Sequence, residues 1–290
     1  METSVLPPLH TLDLTSFPVL EGVGALVIVG GGGTPPMVHD LFFHLAGGLN
    51  ARVLHLPSAT ITFEDIPDKR EYYCDFYDRK PASFEFLHTY DRAVGEQPDF
   101  ARPLREATGV WIGGGSQSRL SELFLGTATL AAIHDLLARG GVVAGTSSGC
   151  AIMSDAMICY GYEEPCMWQG FGLYPKAICD PHFTQRERFK RVPRAALLRP
   201  DHVAIGIDEK TALVVRGHQL RPIGPYEGAA WFHFADPAVG KVCRYRLGIG
   251  VTLELPVPAR GASLEVLREC LHATQEPHII TAEELAQPDE

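Results

Sequence analysis

Apolar residues along the chain fall into short uninterrupted runs, separated by glycine-rich turns and by stretches with helical periodicity. Residues 24–29 form one such run, ending in Gly30-Gly31-Gly32-Gly33-Thr34-Pro35; a periodic stretch follows over 37–46 and a second apolar run over 52–56. Strand, glycine turn, helix and strand in that order make a βαβ unit. The alternation recurs. Strands are predicted over 84–88 and 110–112, helices over 100–106, around 119–124 and over 130–138, and a strand over 142–144 that runs into Gly145-Thr146-Ser147-Ser148-Gly149 with a helical continuation over 150–155. Continuous apolar strands alternating with helices predict an α/β fold with a mostly parallel central sheet and helices on both faces. From residue 203 onward, β-branched runs at 204–207, 212–215, 219–223 and 251–255 are separated only by turns, which predicts added antiparallel strands towards the C-terminus. Two segments without periodicity, 62–80 and the tail 275–290, are expected as loops.

The length of 290 residues suits one large α/β domain over 1–290, with its core over about 24–260. With 25 Lys plus Arg against 35 Asp plus Glu, the net charge is −10, and the densest basic stretch is only 186–194. That balance offers no electrostatic footprint for nucleic acid. The first eight residues lack the cationic and apolar regions of a secretory signal, and no stretch approaches the ~18 apolar residues of a membrane span, so a cytoplasmic protein without a membrane partner is expected. Seven cysteines form no Cys-x-x-Cys pair and are expected as free thiols. No coordination set stands out, so neither a metal nor an organic cofactor is expected.

Three short blocks carry candidate chemistry. The four consecutive glycines at 30–33 invite a phosphate-binding reading, but a dinucleotide fingerprint would need Gly where Pro35 stands and a Walker loop would need Gly-Lys-Ser/Thr. A tight strand-to-helix turn is the better expectation. Gly113-Gly114-Gly115-Ser116-Gln117 lies at the C-terminal end of a parallel strand, where open α/β sheets bind ligands and where backbone amides can hold an anion. Gly145-Thr146-Ser147-Ser148-Gly149 matches the Gly-x-Ser-x-Gly elbow, with an apolar strand before it and a small-residue helix after it. A sharp reversal there projects the central hydroxyl, which makes Ser147 the candidate nucleophile. The amide of Ser148 and one from the Gly114-Gly115 turn are candidate oxyanion donors.

A serine nucleophile needs a base. Among twelve histidines, His182 stands out within Asp180-Pro181-His182-Phe183-Thr184-Gln185-Arg186-Glu187-Arg188, among polar residues just after an apolar stretch. The acid is expected at Glu209, in Gly206-Ile207-Asp208-Glu209, with Glu163 and Glu164 as alternatives. Taken one at a time these residues have ordinary explanations: the arginines a solvated face, Gln117 a helix cap, Glu209 a turn residue.

Together, the blocks at 113–117, 145–149, 180–188 and 206–209 resemble, in order and spacing, the cyanophycinase and dipeptidase E family of serine peptidases, over about residues 24–230. The resemblance implies a class I glutamine-amidotransferase-like, flavodoxin-like fold and a Ser147-His182-Glu209 triad, with the Gly115 and Ser148 amides as oxyanion hole. It also implies that Gln117, Asp180, Arg186, Arg188 and Arg191 line or brace the substrate pocket. The implied substrate is an aspartyl peptide or isopeptide rich in aspartate and arginine, first of all cyanophycin, with release of β-Asp-Arg dipeptides; short α-aspartyl dipeptides are the alternative. A homodimer is implied as well. Two positions depart from the cyanophycinase pattern: Pro181 replaces a Gln of the pocket, and Ser148 replaces a smaller residue. Pro181 keeps open a non-catalytic relative that only binds aspartyl peptides. An α/β-hydrolase esterase would instead place its histidine late, at His272 or His278, and a glutamine amidotransferase would want Cys at 147.

Overall fold

The structure is a computed structural model describing residues 12–18, 20–225 and 227–287. The segment read above as lacking a secretory signal lies outside the described residues, as do the last three residues of the tail. An eight-stranded sheet forms the larger half. Its parallel centre comprises β1 (Ala25–Val29), β2 (Arg52–Leu56), β3 (Ser83–Phe86), β4 (Gly109–Ile112) and β5 (Val142–Thr146), ordered β1-β5-β4-β2-β3. This is the mostly parallel α/β architecture expected from the alternation of apolar runs and helices. The helices Pro36–Leu45, Gln117–Phe124 and Ala128–Ala138 fill the crossovers. Along β1, Leu26 and Ile28 enter one core while Val27 and Val29 enter another, the period-two alternation that buries both faces of a central strand.

A second, five-stranded sheet starts with the parallel pair β8 (Ala177–Asp180) and β9 (Val203–Ile207), preceded in the chain by a hairpin of β6 (Ala156–Tyr160) and β7 (Cys166–Gln169). The antiparallel strands predicted beyond residue 203 divide between the two sheets. β10 (Ala212–Arg216), β11 (Gln219–Ile223) and β14 (Leu253–Glu254) extend the first sheet from β1, whereas β12 (Ala229–Asp236), β13 (Lys241–Gly248) and β15 (His278–Ile280) extend the second from β9. One buried cluster runs through both sheets, from Leu26 and Ile112 to Ile205 and Phe232.

Several local expectations are corrected. Segment 62–80 contains two helical turns, Lys69–Tyr72 and Cys74–Tyr77; the Asp68 side chain caps the first, and Phe76 stacks on Phe84, so tertiary packing supplies what periodicity does not. The tail is likewise ordered as far as residue 287: β15 pairs with β13, and Thr281 and Glu284 form a capping box on Ala282–Ala286. The helix expected over 100–106 is a short turn, Pro98–Ala101, followed by a 3-10 turn that starts beside Pro103, whose missing N–H favours a helix start over a helix interior. Among the described residues, no single helix is long and apolar enough to cross a membrane.

Candidate active site

Ser147 follows β5 in the first sheet, while His182 and Glu209 follow the neighbouring parallel strands β8 and β9 of the second. The three side chains therefore meet at the seam between the sheets. Ser147 has φ 54° and ψ −111°, a strained backbone that turns its hydroxyl out of the strand-to-helix reversal. The flanking glycines are required by close approach: a Cβ at Gly149 would lie 2.9 Å from the Ile112 carbonyl carbon, and one at Gly145 2.8 Å from the Met153 methyl.

The hydroxyl of Ser147 lies 2.9 Å from His182 Nε2, and His182 Nδ1 lies 2.6 Å from Glu209 Oε1. With Glu209 ionised, Nδ1 carries the proton and donates it to the carboxylate, which leaves the Nε2 lone pair to accept from the serine. Burial holds the imidazole below the ordinary histidine pKa; the hydrogen bond it donates to Glu209 opposes that effect, and Arg186 and Arg188 add to it. A neutral imidazole at neutral pH suits a general base.

One strand end holds all three segments. The carbonyl of Val29 accepts from the Ser147 amide (3.1 Å), that of Gly30 from the His182 amide (2.8 Å), and that of Gly31 from the Lys210 amide beside Glu209 (2.8 Å). Three consecutive carbonyls thus place three chain segments. The glycine run provides clearance as well, because a Cβ at Gly31 would lie 2.7 Å from His182 Nε2, and one at Gly32 2.5 Å from Glu209 Cδ. Sequence reasoning took this run for a simple turn and missed its role. The signal was present as four glycines in succession, more than a turn requires.

The expected oxyanion donors need one correction. The Gly115 amide donates to Ser148 Oγ at 3.1 Å, and Ser148 Oγ donates back to the Gly115 carbonyl, so this glycine is tied to a side chain. Gly114 is the turn residue against Ser147: a Cβ there would lie 3.9 Å from the serine Oγ, and its amide donates to no acceptor among the described residues. The Ser148 amide, in the first turn of its helix, is likewise without an acceptor.

The expected pocket residues separate into three groups. Asp180 is fully buried and bonds Arg188 Nη1 (3.1 Å) and Arg191 Nη2 (2.6 Å); Arg188 also donates to the Pro181 carbonyl (2.6 Å), and Arg191 to the Gly161 carbonyl (2.6 Å). These three residues brace the segment that carries His182, because their charges are buried against one another. Arg186 is exposed and makes no side-chain hydrogen bond or ion pair among the described residues. Gln117 does not cap its helix; Ser116 does, and the Gln117 amide donates to the carbonyls of Ile158 and Cys159 at 3.0 Å each, holding the β6 strand. Glu163 and Glu164 pair with Arg194 at 3.1 and 3.0 Å, while Glu209 alone of the three candidate acids bonds His182. The late histidines lie elsewhere, His272 beside Tyr245 and His278 on β15. Among the described residues, no three His, Cys, Asp or Glu side chains converge as metal ligands.

Residues 26–223 match the profile of Peptidase family S51. The chain belongs to that family, the cyanophycinase and dipeptidase E family of serine peptidases. It is 33% identical to a cyanophycinase from Geminocystis herdmanii over 196 residues, 63% of this chain and 71% of that protein. It is 32% identical to a cyanophycinase from Synechococcus elongatus over 194 residues, 63% of this chain and 59% of that one, so the match spans less than two thirds of the second relative. A solved peptidase from an acI-B1 actinobacterium shares the fold, with a TM-score of 0.62 at 23% identity over 81% of this chain and 98% of that one.

Proposed function

We propose that this S51 member is a serine peptidase cleaving aspartyl peptide or isopeptide bonds through Ser147, His182 and Glu209, in the manner of a cyanophycinase that releases β-Asp-Arg dipeptides. The observation that carries the proposal is the pair of hydrogen bonds linking a strained serine to a histidine and the histidine to a carboxylate, 2.9 and 2.6 Å long. The Ser147 oxygen attacks the carbonyl carbon while His182 Nε2 takes its proton. The amides of Gly114 and Ser148 receive the oxyanion of the tetrahedral intermediate. His182 then returns the proton to the leaving amine, the C–N bond breaks, and an acyl-enzyme remains. Water, deprotonated by the same nitrogen, hydrolyses the ester and restores the hydroxyl. Glu209 fixes the tautomer and stabilises the transient imidazolium. Arg186, exposed and without a side-chain partner among the described residues, is suited to a substrate carboxylate.

Release of dipeptides from insoluble cyanophycin, and of amino acids from a short α-aspartyl dipeptide, tests the proposal with wild type and Ser147→Ala side by side. Release from cyanophycin by wild type, reduced about 10⁴-fold or more in the variant, is expected. Release from the α-aspartyl dipeptide alone would move the substrate to the dipeptidase E type. Turnover by Ser147→Ala within tenfold of wild type would remove the nucleophile assignment.

A further inference from the structure

All seven cysteines are free thiols, and two of them face each other across the β6–β7 hairpin. The register sets Ile158 opposite Met167 and Tyr160 opposite Cys166, so Cys159 is the extra residue of a β-bulge and shares Cys166 with Tyr160 as its partner. The Cys159 thiol donates to the Cys166 carbonyl at 3.1 Å, which puts its sulfur over the opposite strand. We propose that Cys159 and Cys166 are a redox-sensitive pair, closed into a disulfide by exchange with a small-molecule disulfide such as oxidised glutathione, and that closure acts on the turn 113–117.

The two thiols differ in access. Cys159 is 7% exposed, whereas Cys166 is half-buried on a hairpin whose Tyr160 and Trp168 are exposed. Burial, with the Cys166 thiol beside it, pushes the Cys159 thiol up to about 11, so it is protonated at neutral pH and does not react first. Exchange starts at Cys166, which displaces one thiol from the small disulfide and becomes a mixed disulfide. Cys159 then attacks the Cys166 sulfur and releases the second thiol, its own proton passing to the leaving group. Two protein thiols are oxidised and one small disulfide is reduced to two thiols. Cys150 and Cys179 also neighbour each other, but both are fully buried, out of reach of a dissolved oxidant.

Closure reaches the active site through hydrogen bonds. Facing residues of an antiparallel pair hold their Cβ atoms about 4.5–5.5 Å apart and a disulfide needs about 3.8 Å, so the bulge is drawn in by about 1 Å. The carbonyls of Ile158 and Cys159 move with it, and these are the two that the Gln117 side chain holds at 3.0 Å each. A hydrogen bond stretched by about 1 Å is lost. Gln117 opens the helix that Ser116 caps, directly after the turn that carries the Gly114 amide. At the tip of the hairpin, the Gly161 carbonyl accepts from Arg191, which shares Asp180 with Arg188. One side chain thus ties the bulge to the oxyanion turn, and another ties the hairpin to the brace behind His182.

Titrating the reduced, full-length protein with oxidised glutathione, alkylating it and mapping its peptides by mass spectrometry without reduction tests the pair. A Cys159–Cys166 link that dithiothreitol reverses is expected, with Cys150 and Cys179 alkylated only after denaturation. Cys159→Ser is expected to stop at glutathione on Cys166, and Cys166→Ser to leave Cys159 unmodified. Wild-type protein that stops at the mixed disulfide, links a different pair or stays reduced would overturn the proposal. Hydrogen exchange over 113–121 reads the coupling whether or not Ser147 is reactive, and is expected to quicken about tenfold in the oxidised protein. An unchanged exchange rate in the linked protein would overturn the coupling. Labelling with a serine-directed phosphonate is expected to slow about tenfold on oxidation and to recover with dithiothreitol. Absence of labelling in both redox states, with the link and the exchange as expected, sinks the catalytic reading alone.

Discussion

Replacing Gly31 with alanine tests whether the glycine run exists to make room for the histidine. The new methyl carbon would lie 2.7 Å from His182 Nε2 and 3.0 Å from Nδ1, where non-bonded atoms rest about 3.5 Å apart. The ring must therefore retreat by about 1 Å, and it has hydrogen bonds of 2.9 and 2.6 Å on its two nitrogens that both depend on its position. A displacement of that size in a reacting group costs on the order of 10²-fold in rate. Gly31 also has φ +90°, so an alanine there adds backbone strain of roughly 1–2 kcal/mol. The companion variant Gly33→Ala isolates that second contribution, because Gly33 has φ +89° and open space where its Cβ would go. Both variants are expected to lose similar stability in urea denaturation. Only Gly31→Ala is expected to lose about 10²-fold in kcat, with slowed phosphonate labelling of Ser147. If the two variants keep kcat values within threefold of each other, clearance for His182 is not what the glycine provides.

The remaining predictions concern charge. The base must be neutral to work, so kcat/KM is expected to fall as pH drops through the His182 pKa, with the acid limb below the ordinary histidine value of 6.5. Glu209→Gln removes an influence that raises this pKa and should move the limb to lower pH while lowering the rate, whereas Arg186→Gln removes one that lowers it and should move the limb up; shifts in the same direction would refute the assignment. Asp180→Ala leaves Arg188 and Arg191 without their shared buried counter-ion, and a loss of about 3–5 kcal/mol in chemical denaturation is expected. A loss under 1 kcal/mol would show that the arginines find water instead. His39, His55 and His233 are buried and neutral, with pKa values of about 4, about 3 and about 3, against 6.5 in the unfolded chain. The unfolded state therefore binds more protons below pH 6.5, so stability should be complete above that pH and fall between 6.5 and about 4, by up to roughly 1.4 kcal/mol per pH unit for each histidine. A flat denaturation midpoint between pH 7 and pH 5 would contradict it.

What the chain discloses in one dimension depends on how local each feature is. The βαβ alternation and the serine elbow are short-range patterns, and both stand where the apolar runs predicted them. His182 and Glu209 are brought together by the parallel pairing of β8 with β9, 26 residues apart at the Ala177↔Val203 register, and no periodicity reports such a pairing; their association was legible only through four blocks taken jointly. Gln117, Asp180, Arg186, Arg188 and Arg191 were expected together at the pocket, yet residue type does not say whether a charged side chain faces a cavity or another charge. The helical turns at Lys69–Tyr72 and Cys74–Tyr77 were missed because four residues are too few to show a period and because Phe76 owes its place to Phe84 and Trp111, distant in sequence.

The backbone around the site shows why its parts are fixed so firmly. Ser147, His182 and Lys210 all have positive φ, at 54°, 53° and 57°, and each non-glycine residue so placed costs roughly 1 kcal/mol or more. The amide of each strained residue is the one donated to the consecutive carbonyls of Val29, Gly30 and Gly31. A left-handed turn at those residues is thus coupled to a hydrogen bond with the end of a fully buried central strand, and relaxing one would leave a buried carbonyl without its donor, at about 1–3 kcal/mol. The strain and its compensation are of the same size. The end of β1, flanked by β5 and β10 and hydrogen-bonded to both, is the part of this fold least free to yield. Anchoring the segments that carry Ser147, His182 and Glu209 to that one strand makes their mutual distances depend on it more than on the packing of one sheet against the other. Substitutions in the outer strands β13 and β15 should accordingly lower stability well before they alter the 2.9 Å approach of serine to histidine.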